Sequence, residues 1–180
     1  MSELTHFRAE VDRFMRQHPQ SPLSPAQLAD FVGLSYFAAD PAFVFTVTVT
    51  RLAETEPLVQ METSSGEMRL YRRWATFAFQ VAGQAAALTI YSDPHGYDFF
   101  LPFKDKSNGR STYAAGRYLD NHRPGLNQLS ETTFEVDFNY AYNPYCAYSP
   151  AYSCPLPPPE NWLKVAILAG EKMFAAAGME

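Results

Sequence analysis

Cysteine is scarce in this chain, which has two cysteines among 180 residues. So few cysteines exclude a disulfide-stabilised scaffold, and structural zinc sites use closer ligand pairs together with a second pair. Cys146 and Cys154 have seven residues between them, and no histidine lies near them in sequence. The favoured interpretation is two buried thiols that pack as small hydrophobic side chains, with no metal site. A catalytic thiol, a pair of metal ligands and a disulfide stay open as alternatives.

An excess of positive charge and long apolar runs are also missing. The formal net charge is -5, and the only dense basic spot comprises Arg69, Arg72 and Arg73. Neutralising phosphates requires a basic face, so nucleic acid is excluded as the main partner. No apolar run approaches the roughly 18 residues of a membrane span, and the charged N-terminus has no signal-peptide core. The sequence therefore predicts no membrane partner and a cytoplasmic location.

The motifs of several enzyme classes are absent. No G-x-S-x-G elbow supports a Ser-His-Asp triad, and no glycine-rich loop meets a predicted helix as in a phosphate-binding site. No cofactor is predicted, no reaction class is indicated, and the oligomeric state is left open.

Two helical patterns open the chain. Apolar residues at helical spacing predict an amphipathic helix over residues 3–17. Ser24, Pro25 and Gln27 form a capping-box pattern for a second, short helix that ends near Val32. These signals concern architecture and carry no chemistry.

From residue 41 onward the apolar period changes to two, which is typical of β-strands. The predicted strands cover residues 43–49, 57–63, 67–81, 85–92, 97–103, 112–119 and 132–139. A change of apolar parity at Arg72 and Arg73 predicts a β-bulge. About seven strands joined by short turns predict a mainly β fold, an antiparallel β barrel or roll.

The length of the chain indicates one domain, residues 1–180, around a single core. Its predicted parts are a helical arm (1–40), a β core (41–139), an ordered loop (140–161) and a C-terminal helix (162–178). A short strand through Val165 and Ile167 is the alternative to that last helix.

The most unusual stretch is DFNYAYNPYCAYSPAYSCPLPPPENW, residues 137–162. It contains both cysteines, five of the 11 tyrosines and six of the 14 prolines. Flexible linkers avoid aromatic residues, because they cannot bury them. The stretch is therefore predicted to be an ordered loop, and such loops usually serve as lids, binding loops or plugs.

Three stretches resemble the signature segments of a known family: LPFKDKSNGRSTYAAGRYLD, DFNYAYNPYCAYSPAYSCPLPPPEN and VAILAGEK. The family is the bacterial domain of unknown function 1684, and the likeness spans roughly residues 5–173. Lys164 stands where this family often has proline, which supports a helix at that point. The resemblance implies no activity, but it singles out the tyrosine- and proline-rich loop as the family's hallmark.

The candidate ligand-binding residues are Arg117, Asp137, Asn139, Asn143, Cys146 and Glu160. Arg117 can clamp a carboxylate or phosphate, or it can brace the fold by pairing with Asp137 or Glu160; the brace is the favoured interpretation. Asp137 and Asn139 share one strand face, which either meets solvent or lines the mouth of a cavity. The charged residues around the Asn108-Gly109 turn, Asp105 among them, are interpreted as a solvated hairpin.

The function is predicted as a small-molecule-binding or enzymatic pocket at one end of a β barrel, walled by residues 139–161. A small anionic ligand is the expected partner, since Arg117 is among the candidate groups. One alternative is a protein-interaction module that uses the tyrosine-rich loop as an exposed surface. Another is a carrier that holds an apolar ligand inside an aromatic core.

Overall fold

The computed structural model describes residues 2–174, and it opens with both predicted helices. These are α1 (Glu3–Gln17) and α2 (Pro25–Asp30). Ser24 and Gln27 cap α2 reciprocally: Gln27 Oε1 accepts from the Ser24 amide at 2.7 Å, and the Gln27 amide donates to Ser24 Oγ at 3.2 Å. The capping-box prediction is confirmed. Neither described helix is long and apolar enough to cross a bilayer.

Nine strands and four 3-10 turns follow in the described residues. The strands are β1 (Val44–Thr48), β2 (Thr50–Arg51), β3 (Val59–Glu62), β4 (Met68–Val81), β5 (Gln84–Ser92), β6 (Phe99–Phe103), β7 (Arg117–Asp120), β8 (Leu126–Gln128) and β9 (Thr133–Asp137). The 3-10 turns are Pro41–Phe43, Phe138–Tyr140, Tyr145–Ala147 and Pro159–Asn161. The fold is mainly β, as predicted.

The strands form two antiparallel sheets. The larger sheet has the order β2-β4-β5-β6-β7, with β3 paired to β4, and the smaller has the order β1-β9-β8. β1 pairs with β9 whereas β2, two residues further on, pairs with β4. The segment from Val44 to Arg51 therefore passes from one sheet to the other, and it joins the two layers over one core.

The described strands do not close into a barrel, so the barrel alternative of the prediction is wrong. The outer edge of β7 meets the tyrosine- and proline-rich loop instead of another strand. Tyr118 and Tyr142 exchange both backbone hydrogen bonds, at 2.9 and 3.1 Å. Since the loop satisfies this edge, β7 has no need of a strand partner on that side.

The predicted bulge lies in β4. The register with β5 shifts between Arg73 and Ala75. Before the shift, Met68 and Leu70 are exposed; after it, Phe77 is buried in the core. The extra residue reverses which side chains of β4 point towards the core. The first half of β4 therefore extends beyond the core, and the second half covers the core.

The core is aromatic and lies between the two sheets. Phe103, Phe134 and Phe138 are fully buried, and Trp74 packs edge-on against Phe134. A second apolar cluster joins the helical arm to the loop through Met15, Leu23, Phe31 and Tyr148. The arm therefore packs on the loop as part of the same domain.

The C-terminal helix predicted for residues 162–178 is wrong over residues 162–174, which contain no helix; residues 175–178 lie outside the described residues. The segment is extended, and Leu163, Val165, Ile167 and Ala169 are all buried. This period of two agrees with the alternative of a strand-like segment through Val165 and Ile167.

Long-range backbone pairing explains why this segment is not helical. The Leu163 amide donates to the Lys104 carbonyl at 2.7 Å, and the Lys106 amide donates to the Val165 carbonyl at 3.2 Å. A helix would take these groups away from their partners. Gly170 then passes so close to the loop that a Cβ atom would lie 2.6 Å from the Ala141 carbonyl, with φ at +76°. Only glycine fits there without strain.

Candidate functional site

Arg117 lies at the centre of the buried polar network. Its side chain is completely buried on β7, and its Nη2 donates to Asp105 Oδ2 at 3.1 Å. The same guanidinium donates to three carbonyls of the C-terminal segment, those of Ile167 (2.8 Å), Ala169 and Glu171 (3.2 Å). Burial lowers the pKa of Arg117, and the Asp105 carboxylate opposes that effect. Arg117 therefore braces the fold, and it pairs with Asp105 instead of the expected Asp137 or Glu160.

Asp105 is correspondingly not part of a solvated hairpin, because it is buried. Its Oδ1 accepts from the amides of Ser107 at 2.7 Å and Ile167 at 3.2 Å. A buried ion pair is stable only when hydrogen bonds satisfy its remaining lone pairs and protons, and these contacts do so. Together Asp105 and Arg117 hold the C-terminal segment in place.

Asp137 and Asn139 lie together at the end of β9, away from Arg117. The Asp137 carboxylate accepts from the backbone amide and side-chain amide of Asn139, at 2.9 and 2.8 Å. The side-chain amide of Asn139 also donates to the Asp40 carbonyl at 2.9 Å, and its Oδ1 accepts from the Asp40 amide at 3.0 Å. The pair ties the start of β1 to the start of the loop.

Glu160 lies elsewhere, in the 3-10 turn Pro159–Asn161, where it meets side chains of the larger sheet. Arg73 binds its carboxylate with two hydrogen bonds, at 2.7 and 2.9 Å, and the hydroxyl of Tyr91 is a third donor. Burial would raise the pKa of Glu160, but the hydrogen bonds from Arg73 and Tyr91 outweigh burial and leave the pKa lowered. The structure thus separates Glu160 from the other candidates.

Asn143 belongs to a buried cluster that sequence reasoning missed. Its backbone amide donates to Glu171 Oε2 at 2.9 Å, and its side-chain amide donates to Glu171 Oε1 at 3.0 Å and to the Lys172 carbonyl at 2.9 Å. Tyr148 donates a further hydrogen bond to Glu171. Burial raises the pKa of Glu171 to about 7, although these hydrogen bonds and nearby arginines act in the opposite direction.

A cleft of about 150 Å³ opens beside this cluster, between α1 and the loop. One wall is apolar and consists of Val11, Phe14, Met15 and Leu34. The other wall is polar and consists of Arg123, Asn143, Tyr145, Tyr148 and Glu171. The loop residues 143, 145 and 148 thus wall the cleft, but it lies against the helical arm and not in the mouth of a barrel.

Two polar groups of this cleft have spare hydrogen-bonding capacity. Asn143 Oδ1 is buried and has no partner among the residues that the structure describes. Arg123 is half-buried and stacks on the ring of Tyr142, with its Cζ atom 4.0 Å from the centroid. Within residues 2–174 its guanidinium makes no hydrogen bond and no salt bridge, whereas that of Arg117 makes four hydrogen bonds. Buried polar atoms are seldom left unpaired, and among these two groups Asn143 Oδ1 is such an atom.

Cys146 lies next to the cleft but does not line it. Its amide donates to Cys154 Sγ at 3.3 Å, and the Tyr113 hydroxyl lies 3.6 Å from Cys146 Sγ. Both cysteines are free thiols. Across the described part of the chain, no three His, Cys, Asp or Glu side chains gather as a possible metal-binding group.

Of the six candidates, then, only Asn143 lines the cleft; the others lie in the separate clusters described above. Glu171 and Arg123 are the cleft residues that the sequence did not point to. The signal for Glu171 was its position in the stretch VAILAGEK, one residue after a glycine and at the end of a buried period-two pattern. Because that stretch was predicted to be a helix, Glu171 was not identified as a buried residue.

Comparison with known proteins agrees with this picture of the fold. A family model described as "Protein of unknown function (DUF1684)" matches residues 29–172. The solution NMR structure of an uncharacterised protein from gene locus rrnAC0354 of Haloarcula marismortui is 40% identical in sequence. The match covers 94% of this chain and 92% of that chain, with a TM-score of 0.71. No curated protein matches.

Proposed function

We propose a function for this chain, which belongs to the family of proteins of unknown function DUF1684: it binds a small molecule with an apolar body and one anionic group. The site is the cleft between α1 and the tyrosine- and proline-rich loop. The observation that carries the proposal is the Arg123 guanidinium, which has no hydrogen-bond partner within residues 2–174 and lies in the polar wall, opposite the apolar wall of the cleft.

The two walls suit the two ends of such a ligand. An apolar body would pack against Val11, Phe14 and Leu34, where it removes apolar surface from water. An anionic group would receive hydrogen bonds from Arg123, whose planar guanidinium is oriented by stacking on the Tyr142 ring.

Glu171 makes the site sensitive to charge. Its carboxyl is buried in the polar wall, and burial raises its pKa to about 7. When this group is protonated, the polar wall has a net positive charge from Arg123, and an anion is attracted. When it ionises, it repels the anion. Binding should therefore weaken as pH rises through about 7.

The test begins with native mass spectrometry of freshly purified protein, followed by a thermal-shift screen of small aliphatic and aromatic carboxylic acids. Calorimetry then compares the best acid with its uncharged amide. We expect the acid to bind more tightly, and Arg123→Met to reduce its affinity at least about tenfold, since a hydrogen bond to a charged group contributes roughly 1.5–3 kcal/mol. Arg110→Met, on the exposed turn after β6, removes the same charge and should leave affinity unchanged.

A second pair of variants tests the location. Val11→Phe adds a ring to the apolar wall and should abolish binding, whereas Val32→Phe makes the same change at a side chain that is 92% exposed and should have no effect. Equal binding of acid and amide, unaffected by Arg123→Met, would point instead to an apolar-ligand carrier. If no acid bound to the wild type, the anion-binding proposal would be wrong.

A further inference from the structure

The two cysteines of the loop lie side by side, although neither is part of the cleft. The Cys146 amide donates to Cys154 Sγ at 3.3 Å, which places the second sulphur against the backbone of the first cysteine. The Cys154 amide is held in turn by Ser64 Oγ at 3.0 Å, so the pairing does not depend on the loop alone. Both thiols are free.

The two sulphurs differ in their surroundings. Cys146 is half-buried, and the Tyr113 hydroxyl lies 3.6 Å from its sulphur. Cys154 is buried, with 8% of its surface exposed. Cys146 is therefore the more exposed residue of the pair, as is typical of an attacking cysteine beside a resolving one.

We propose that Cys146 and Cys154 form a redox site that hydroperoxides oxidise to a disulfide. Cys146 is the attacking thiol, and Cys154 is the resolving thiol. In the first step the Cys146 thiolate attacks one oxygen of hydrogen peroxide. The O–O bond breaks, Cys146 becomes a sulfenic acid, and the other oxygen leaves as hydroxide and takes up a proton to give water.

In the second step the Cys154 thiol attacks the sulfenic sulphur. The S–O bond breaks, a disulfide forms, and the hydroxide that leaves takes the proton of the Cys154 thiol to give a second water molecule. Two thiols are oxidised by two electrons in all, and one peroxide is reduced to two waters. An added dithiol reverses the reaction by exchange.

Electrostatics support the assignment of roles. The hydrogen bond from Cys154, followed by that from Tyr113, lowers the pKa of Cys146 to about 6 in spite of its partial burial. The pKa of Cys154 is raised, first by its hydrogen bond to Cys146 and then by burial. At neutral pH Cys146 is therefore the thiolate, and the thiolate is the nucleophile.

The experiment treats the full-length protein with hydrogen peroxide and measures intact mass and free thiols. Before oxidation, thiol titration under denaturing conditions should find two thiols. After oxidation, the mass should fall by two hydrogens, and dithiothreitol should restore it. In Cys154→Ser the sulfenic acid cannot be resolved, so dimedone should label Cys146. In Cys146→Ser labelling of Cys154 should be at least about tenfold slower.

Two controls separate the role of the fold from that of the thiols. In urea-unfolded protein, iodoacetamide should modify both cysteines at similar rates, while in folded protein it should modify Cys146 first. Tyr113→Phe removes the hydroxyl donor and should slow the folded-state reaction of Cys146 near pH 6. Retention of two free thiols after peroxide treatment, or oxidation of Cys146 to a sulfinic acid without disulfide formation, would overturn the proposal.

Discussion

Replacing Glu171 by glutamine should change how the stability of the protein depends on pH. The carboxyl group is buried, and burial raises its pKa to about 7 from an ordinary value of 4.5. Between these two pH values the folded protein holds one proton that the unfolded chain has released. The contribution of Glu171 to stability is therefore fully present below pH 4.5, falls as pH rises, and levels off above about 7.

The size of the effect follows from the two pKa values. A difference of about 2.5 in pKa, at about 1.4 kcal/mol for each unit, gives a loss of about 3 kcal/mol across this window. Glutamine cannot ionise, so Glu171→Gln should lack this contribution. The glutamine amide will gain or lose hydrogen bonds to Asn143 and Tyr148. These changes shift the plot of stability against pH up or down, but they do not change its slope.

The assay is urea unfolding followed by tryptophan fluorescence, at pH values from about 4.5 to 8, for wild type and variant. The free energy of unfolding of wild type minus that of the variant should fall by about 3 kcal/mol over the range. Glu160→Gln is the control that should stay nearly flat over this range. Because the pKa of Glu160 is lowered from 4.5, its contribution to stability is lost only as pH falls below about 4.5. If the difference between wild type and Glu171→Gln stayed flat or rose with pH, the reasoning would be refuted.

Three further outcomes are expected. Arg117→Met should destabilise the protein by roughly 3–5 kcal/mol in urea unfolding, because it leaves the buried Asp105 unpaired, and adding Asp105→Asn should recover part of that loss. Recovery by Asp137→Asn instead would contradict the observed pairing. Gly170→Ala should lower stability by at least about 1–3 kcal/mol, measured in the same way, because φ is positive and the Ala141 carbonyl leaves no room for a methyl group. Limited proteolysis should cut near the termini before it cuts between residues 140 and 159, and early cleavage there would show that the loop is mobile.

Local patterns were sufficient for most of the fold. The capping box of α2 needs only residues three apart, and the bulge of β4 is visible as a change of parity within one strand. Most strands follow from turns and from alternation of apolar side chains over a few residues, but β7 begins at Arg117 and not at residue 112, and β8 (Leu126–Gln128) was not predicted. All these signals are determined by neighbours along the chain, so one sequence reveals them.

The candidate site was harder to predict, because its residues meet over long distances along the chain. Asp105 resembles a solvated turn residue among Lys104 and Lys106, and it is buried only because the Ile167 amide and the Arg117 guanidinium reach it. Asn143 and Glu171 are 28 residues apart and recognise each other through two hydrogen bonds. No local pattern shows which carboxylate an arginine or an asparagine will meet.

The C-terminal error has the same origin. Leucine, alanine, lysine and glutamate are good helix formers, so the composition of residues 162–174 favours a helix on propensity alone. The segment instead pairs with residues 104–106 and places every second side chain in the core. Burial of an apolar face outweighs helix propensities that differ by less than about 1 kcal/mol per residue.

Arg117 connects the buried network to the cleft, although it lines no part of it. Its guanidinium donates to the carbonyls of Ala169 and Glu171, so it fixes the backbone from which the Glu171 side chain extends. Glu171 in turn orients Asn143 through both of its carboxylate oxygens. The polar wall of the cleft is therefore positioned from behind by an ion pair with Asp105 that no ligand reaches. The three stretches that carry the family resemblance supply Arg117, Asn143 and Glu171, one each, and this chain of contacts gives a physical reason why they occur together.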